Sequence, residues 1–228
     1  MLIPKIIHRT RLGDDTLPEE CDRFMANWIR FHPGWEERLW TPQNLPPLLN
    51  DKVYHLSPNL GHRSDILRYE LLYRFGGVYV DLDFDCCSSL EPLLAGVTCF
   101  LGRIAPTMTD LGVQTIETAI MGSVPGHPFL EQVISNLAPW ARQHWGAYSP
   151  VRTGPQYVQK QLVQWSADWR EKNPAVNPPI TLFPPETFYP FLWTQKERAH
   201  EPFLSAVGIH HWWGSWNRRA QRILPTVQ

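Results

Sequence analysis

One segment limits the fold more than any other. From Ser64 to Phe75, residues Ile66, Leu67, Tyr69, Leu71, Leu72, Tyr73 and Phe75 make a helix apolar around most of its girth, which Gly76-Gly77 then stops. A helix of that kind has to be buried. Ser64 is predicted as its N-cap, with Asp65 in the first turn. Val78-Tyr79-Val80-Asp81-Leu82-Asp83-Phe84 follows with period two. Val78, Val80 and Leu82 then share one face of a strand, and Tyr79, Asp81 and Asp83 the other. A buried helix leading through two glycines into a strand is the signature of an α/β protein.

The flanks extend this pattern. Lys5 to Thr10 reads as a first strand, Pro18 to His32 as a helix with Phe24, Trp28 and Phe31 on one face, and Arg38 to Thr41 as a second strand. Pro128 and Pro155 each open an amphipathic helix. Proline-rich 42–58 reads as loop and broken helix, and 103–114 as loop. From Asn173 to Pro202 an irregular wrap is expected whose Phe183, Phe188, Tyr189, Phe191 and Trp193 demand burial. The expected architecture is a single domain, 1–228, with a Rossmann-like mixed sheet flanked by helices.

Composition excludes several classes. A formal net charge of −1 gives no global field to draw the chain to nucleic acid, so an anionic ligand must be held locally. Cys86 and Cys87 are adjacent, a pair that rarely closes on itself, and with Cys21 and Cys99 they lack zinc-ligand spacing. Reduced thiols are expected. No apolar run is long enough to span a membrane, which leads us to expect a cytoplasmic location, with peripheral membrane contact left open. The 11 tryptophans serve mainly in packing, while some are suited to stacking on sugar rings.

Asp81 and Asp83 on one strand face, with Asp85 following, form a repulsive cluster unless a cation sits between them. DXD alone is equally the mark of a solvated acidic strand end, but a buried setting disfavours solvated acids. Oxygen ligands suit Mg2+ or Mn2+, either of which holds a diphosphate leaving group. If the cluster is merely repulsive, removing Asp83 should leave the fold's stability intact or slightly improved. Asp65 and Arg68, at i and i+3, share a helix face; they are either an exposed ion pair or a pair that binds donor-sugar hydroxyls. His210 and His211 alternate across a short C-terminal strand, so that one faces inward as a third ligand or a packed core residue. His8 and Thr10 end the first strand, where an α/β sheet usually holds a nucleotide.

The blocks Ser64-Asp65-Ile66-Leu67-Arg68-Tyr69 and Gly76-Gly77-Val78-Tyr79-Val80-Asp81-Leu82-Asp83 resemble glycosyltransferase family 32. That family includes fungal α-mannosyltransferases and bacterial capsule enzymes, and its DXD region is similar to that of the large clostridial glucosylating toxins. Ile3 to His8, Met121-Gly122, Pro125 to Pro128, Thr153-Gly154-Pro155, and His210 with Gly214-Ser215-Trp216 match in the same order. The resemblance implies a GT-A fold, a nucleotide-sugar donor, a divalent metal and retention of anomeric configuration. It assigns Asp81 and Asp83 to the metal and the ribose or diphosphate, and Asp65 and Arg68 to the donor sugar. His210, Ser215 and Trp216 would close over the diphosphate. The chain departs from the family at Arg11, where Trp is usual, and at Thr118, where many members carry Asn.

The function expected is transfer of a hexose from a UDP- or GDP-sugar to a hydroxyl acceptor, a glycan or polysaccharide precursor. Glu117 is the one carboxylate outside the DXD region singled out for a catalytic role. The rivals are a phosphohydrolase of the haloacid dehalogenase type and a glycan-binding module without turnover.

Overall fold

A computed structural model describes residues 2–13, 18–109, 111–147, 149–175 and 179–214. The chain runs β1 (Ile6–Thr10), α1 (Glu19–Phe31), β2 (Glu36–Trp40), α2 (Asp51–Leu56), α3 (Leu60–Phe75), β3 (Gly77–Val80) and β4 (Phe84–Cys86). It continues through β5 (Cys99–Thr109), β6 (Gly112–Ser123), α4 (Pro128–Gln143), α5 (Ser149–Arg152), α6 (Pro155–Lys172), β7 (Thr181–Phe183), α7 (Pro185–Phe188) and β8 (Gly208–His210). Six strands form a mixed sheet in the order β2-β1-β3-β6-β5-β7, and β4 pairs with β8 apart from it. The expected α/β class with helices on both sides of a mixed sheet is what the chain adopts.

Two apolar layers sandwich the sheet. On one side Ile66, Leu67 and Leu71 of α3 meet Phe129 and Val133 of α4, Val158 and Leu162 of α6, and Tyr79 and Leu101 of the sheet. On the other, Val78, Val80 and Phe100 meet Trp28 of α1, Phe188 of α7 and Phe84 of β4. β3 is therefore buried on both faces, with Tyr79 as deep as Val78 and Val80.

α3 starts earlier than its sequence suggests. Asn59 is the N-cap, its side chain accepting from the His62 N–H, and Ser64 lies inside the helix. Asp65 thus stands in the second turn rather than the first. Gly61 and His62 are weak helix formers that hide the true start. At the other end Gly76 and Gly77 take φ of 63° and 93°, and a Cβ on Gly77 would lie 2.6 Å from the Ile6 carbonyl oxygen. Only glycine lets β3 enter there so close to β1.

β3 stops at Val80. The Phe84 N–H donates to the Asp81 carbonyl, so Asp81-Leu82-Asp83 is a turn rather than the continuous strand expected. A period-two pattern runs unchanged through a strand, a tight turn and a second strand, and so conceals the break. The segment 103–114, expected as a loop, lies instead within the hairpin of β5 and β6, whose register slips between Leu101 and Gly102 and again between Arg103 and Thr107. β2 begins two residues before the expected strand. In the C-terminal wrap Phe188, Tyr189 and Phe191 are buried as expected, whereas Trp193 is 41% exposed. Among the described residues no helix is long and apolar enough to cross a membrane. The four cysteines are free, three of them buried.

Candidate metal centre

The turn after β3 and the end of β8 bring Asp81, Asp83 and His210 together, with one ligand atom from each lying within 4.8 Å of the others. β4 and β8 cause the meeting, since Phe84 is in register with His210. His210 Nε2 lies 3.2 Å from Asp83 Oδ1, and the Trp213 N–H donates to Asp83 Oδ2 at 2.8 Å. Burial raises the cost of ionising Asp83, but His210 and the Trp213 amide outweigh it and hold its carboxyl well below the usual range. His210 is buried too, yet Asp83 beside it pushes its pKa up.

Asp81 is governed by α3. Arg68 Nη2 reaches Asp81 Oδ1 at 3.1 Å and Asp65 Oδ1 at 3.3 Å, while Nη1 donates to Thr118 O and Oγ1. The guanidinium lies 4.7 Å from the Tyr79 ring centroid, and the Tyr79 hydroxyl also donates to Asp81 Oδ1 at 2.9 Å. The Thr153 hydroxyl donates to Asp65 Oδ2 at 2.8 Å. Burial, followed by the neighbouring Asp83 charge, raises the Asp81 pKa against the pull of Arg68. Among the described residues three carboxylates thus face one guanidinium and one imidazole, an excess of negative charge. Two carboxylates and an imidazole with surplus negative charge suit a hard divalent cation.

Glu117, on β6, is 8% exposed and accepts from the Gln114 amide at 3.1 Å; burial lifts its pKa to about 7. Thr10 joins through its hydroxyl, 2.9 Å from both Ser64 Oγ and the Tyr79 hydroxyl that serves Asp81.

Two predicted site residues stand elsewhere. His8 is fully buried, with Nε2 on the Gly76 carbonyl at 2.9 Å and Nδ1 accepting from the Trp40 indole at 3.0 Å. Both ring nitrogens are engaged in packing, so His8 offers a nucleotide nothing. His211 stacks on Phe24 at 4.6 Å and is not in the Asp81, Asp83 and His210 group, though its N–H donates to the Asp83 carbonyl. Ser215 and Trp216 lie outside the described residues. Sequence reasoning gave no site role to Tyr79 or the Trp213 amide, and it marked Thr118 and Thr153 only through the family resemblance, without their partners Arg68 and Asp65. Tyr79 carried a signal of its own, its place on the strand face assigned to the two aspartates.

Comparisons with known proteins agree with this geometry. Residues 18–99 match the family described as "Glycosyltransferase sugar-binding region containing DXD motif". Inositol phosphoceramide mannosyltransferase 3 of Schizosaccharomyces pombe is 34% identical over 74% of this chain and 46% of its own length. Mannosyl phosphorylinositol ceramide synthase CSH1 of Saccharomyces cerevisiae is 32% identical over 82% of this chain and 49% of its own. The chain thus spans about half the length of these relatives. Among solved structures, the PaToxG glycosyltransferase superposes with a TM-score of 0.56 at 14% identity, covering 75% of this chain and 73% of that one. A glycosyltransferase involved in glycosylating the major capsid of PBCV-1 gives 0.50 at 14% identity, covering 96% of this chain and 98% of that one. Both likenesses are of fold, and they bear out the GT-A-like sheet.

Proposed function

Because the chain belongs to the DXD-containing glycosyltransferases, we propose that it moves a hexose from a UDP- or GDP-sugar to a hydroxyl acceptor with retention of configuration. The observation that carries this is the Asp81, Asp83 and His210 group with its surplus of carboxylate. Those three residues would hold the cation; Mn2+ is favoured over Mg2+ because magnesium takes oxygen ligands almost exclusively. When bound, the cation supplies charge neutralisation for a departing diphosphate.

The chain's own residues do the rest. Arg68 is committed to Asp81, Asp65 and Thr118, leaving only Nε without a partner, so it serves to fix the carboxylates rather than to grip sugar directly. Asp65, fixed by Arg68 and Thr153, is the group that accepts from a sugar hydroxyl. Glu117 is poised near neutrality to accept or hold a proton at its carboxylate. The other buried acid of α3, Glu70, is tied to the backbone amides of Leu49 and Asn50 and is structural. A phosphohydrolase loses support because Asp81 Oδ1 is engaged by Arg68 and Tyr79 rather than free for attack.

The relatives' names put mannose first among donors and a phosphoinositol-bearing lipid first among acceptors, ahead of the polysaccharide precursor suggested by the sequence. A cytoplasmic location and a single-domain organisation belong to the same proposal. Calorimetric titration with Mn2+ and then a panel of UDP- and GDP-sugars tests it. Donor binding that needs the metal, and slow donor hydrolysis abolished in Asp83→Asn, are expected. Glycan binding with neither effect would favour a non-catalytic module.

A further inference from the structure

Outside the metal centre lies a buried charge without a counterpart among the described residues. Arg152, which closes α5, has no exposed surface, and its Nε, Nη1 and Nη2 meet no acceptor among the described residues. Its guanidinium lies 4.0 Å from the ring centroid of Trp145, itself 53% exposed. His62 is equally bare. It is 3% exposed, neither ring nitrogen has a partner among the described residues, and burial together with the nearby Arg152 cation holds its pKa to about 4. A neutral imidazole cannot balance a guanidinium, and an aromatic face compensates such a charge only in part. An anion is the natural partner for such a pair. The rigid fork of a guanidinium fits phosphate oxygens, and a neutral imidazole adds an N–H donor beside it.

The position is as informative as the chemistry. His62, Asp65 and Arg68 follow one another at three-residue spacing along α3. Arg68 reaches Asp81 of the metal centre, Asp65 receives the hydroxyl of Thr153, and His62 feels the charge of Arg152, the residue before Thr153. Along this row the Arg152 pair lies on the far side of Asp65 from the metal centre. A donor diphosphate belongs with the cation at Asp81 and Asp83, and a donor sugar with Asp65. An anion at Arg152 therefore belongs to the other substrate. We propose that Arg152, with His62 and Trp145, binds a phosphate group of the acceptor, adjacent to the hydroxyl that receives the sugar. The acceptor half of this rests on the glycosyltransferase function above; the phosphate site itself does not.

The probes are myo-inositol 1-phosphate, myo-inositol and inorganic phosphate, followed by calorimetry and by thermal shift. Inositol 1-phosphate is expected to bind and raise Tm, inositol not to, and inorganic phosphate to bind more weakly. Arg152→Met should abolish this binding and, without ligand, melt at or above the wild-type Tm, because it removes an unpaired charge. Trp145→Ala, at an exposed position that the fold tolerates, should weaken binding by about tenfold. A lowered Tm for Arg152→Met together with unchanged binding in either variant overturns the site. Inorganic phosphate binding as tightly as inositol 1-phosphate overturns the assignment to the acceptor. Arg152-dependent binding in a protein that shows no metal-dependent donor hydrolysis leaves the site standing and removes the glycosyltransferase function instead.

Discussion

Arg68 Nη2 lies 3.1 Å from Asp81 Oδ1 and 3.3 Å from Asp65 Oδ1, so one guanidinium holds two carboxylates from different elements together. Removing it takes away the cation that both acids face and leaves their charges to the hydroxyls of Thr153 and Tyr79. Arg68→Met is expected to destabilise the fold by about 3–5 kcal/mol. For a chain of this size that is a fall in Tm of roughly 6–20 °C. Arg68→Lys, which keeps the charge without the fork, should fall between. A change under about 2 °C in a thermal melt would show that the clamp does not matter to stability.

Asp83 takes the Trp213 N–H and faces His210, so its removal does more than relieve repulsion. The expectation from sequence, that Asp83→Ala leaves stability intact, is thereby reversed. Asp83→Ala is expected to abolish metal-dependent donor turnover and to cost about 1–3 kcal/mol. Asp83→Asn, which still accepts from Trp213, should lose turnover with a smaller cost. Urea denaturation of both variants beside a manganese titration separates the two effects.

Glu117 gives a pH signature. Its pKa is raised from 4.5 to about 7 by burial, so the protonated form is the one the fold accommodates. Stability from this group is fully present below pH 4.5 and is lost as pH rises through 7. At about 1.36 kcal/mol per unit, up to about 3 kcal/mol is at stake. Glu117→Gln should flatten the decline between pH 5 and pH 8 and, if Glu117 handles a proton, lower turnover by about a hundredfold. Equal pH slopes for the two proteins would contradict the burial.

His8 acts in the opposite direction. Burial, with the nearby Arg38 charge a lesser cause, lowers its pKa from 6.5 to about 4. Its contribution is present above pH 6.5 and is lost as pH falls through 4. A loss of about 3 kcal/mol on acidification is expected. His8→Gln supplies one donor and one acceptor without a titrating ring and should remove that part of the acid sensitivity, as read by guanidinium melts at pH 7 and pH 4.

What the sequence revealed of this fold was local. The apolar girth of α3, the two glycines and the proline-led helices are patterns within one turn or one strand, and each of these elements is present, although α3 begins at Leu60 rather than after Ser64. Ser64 misled because a good capping residue inside a helix looks the same as one at its start; here its hydroxyl serves Thr10 and Tyr79. The β5–β6 hairpin was hidden because its outer half carries Pro106, exposed Met108 and exposed Val113, which read as loop. Thr118 and Thr153 stood out only through the family resemblance, and their partners could not be read because they lie 50 and 88 positions away. His8 was misplaced by a rule about strand ends that says nothing of which side chains point into the sheet's own packing.

The pairing of β4 with β8 joins Asp83 to a histidine 127 positions further along. Contacts so distant in sequence pay their loop-closure cost late in folding. A growing or truncated chain ending short of residue 208 therefore has its DXD turn but not the imidazole that completes the centre. Affinity for the cation becomes a report on whether the whole chain has arrived, and partly made copies stay unable to engage a donor they would only waste.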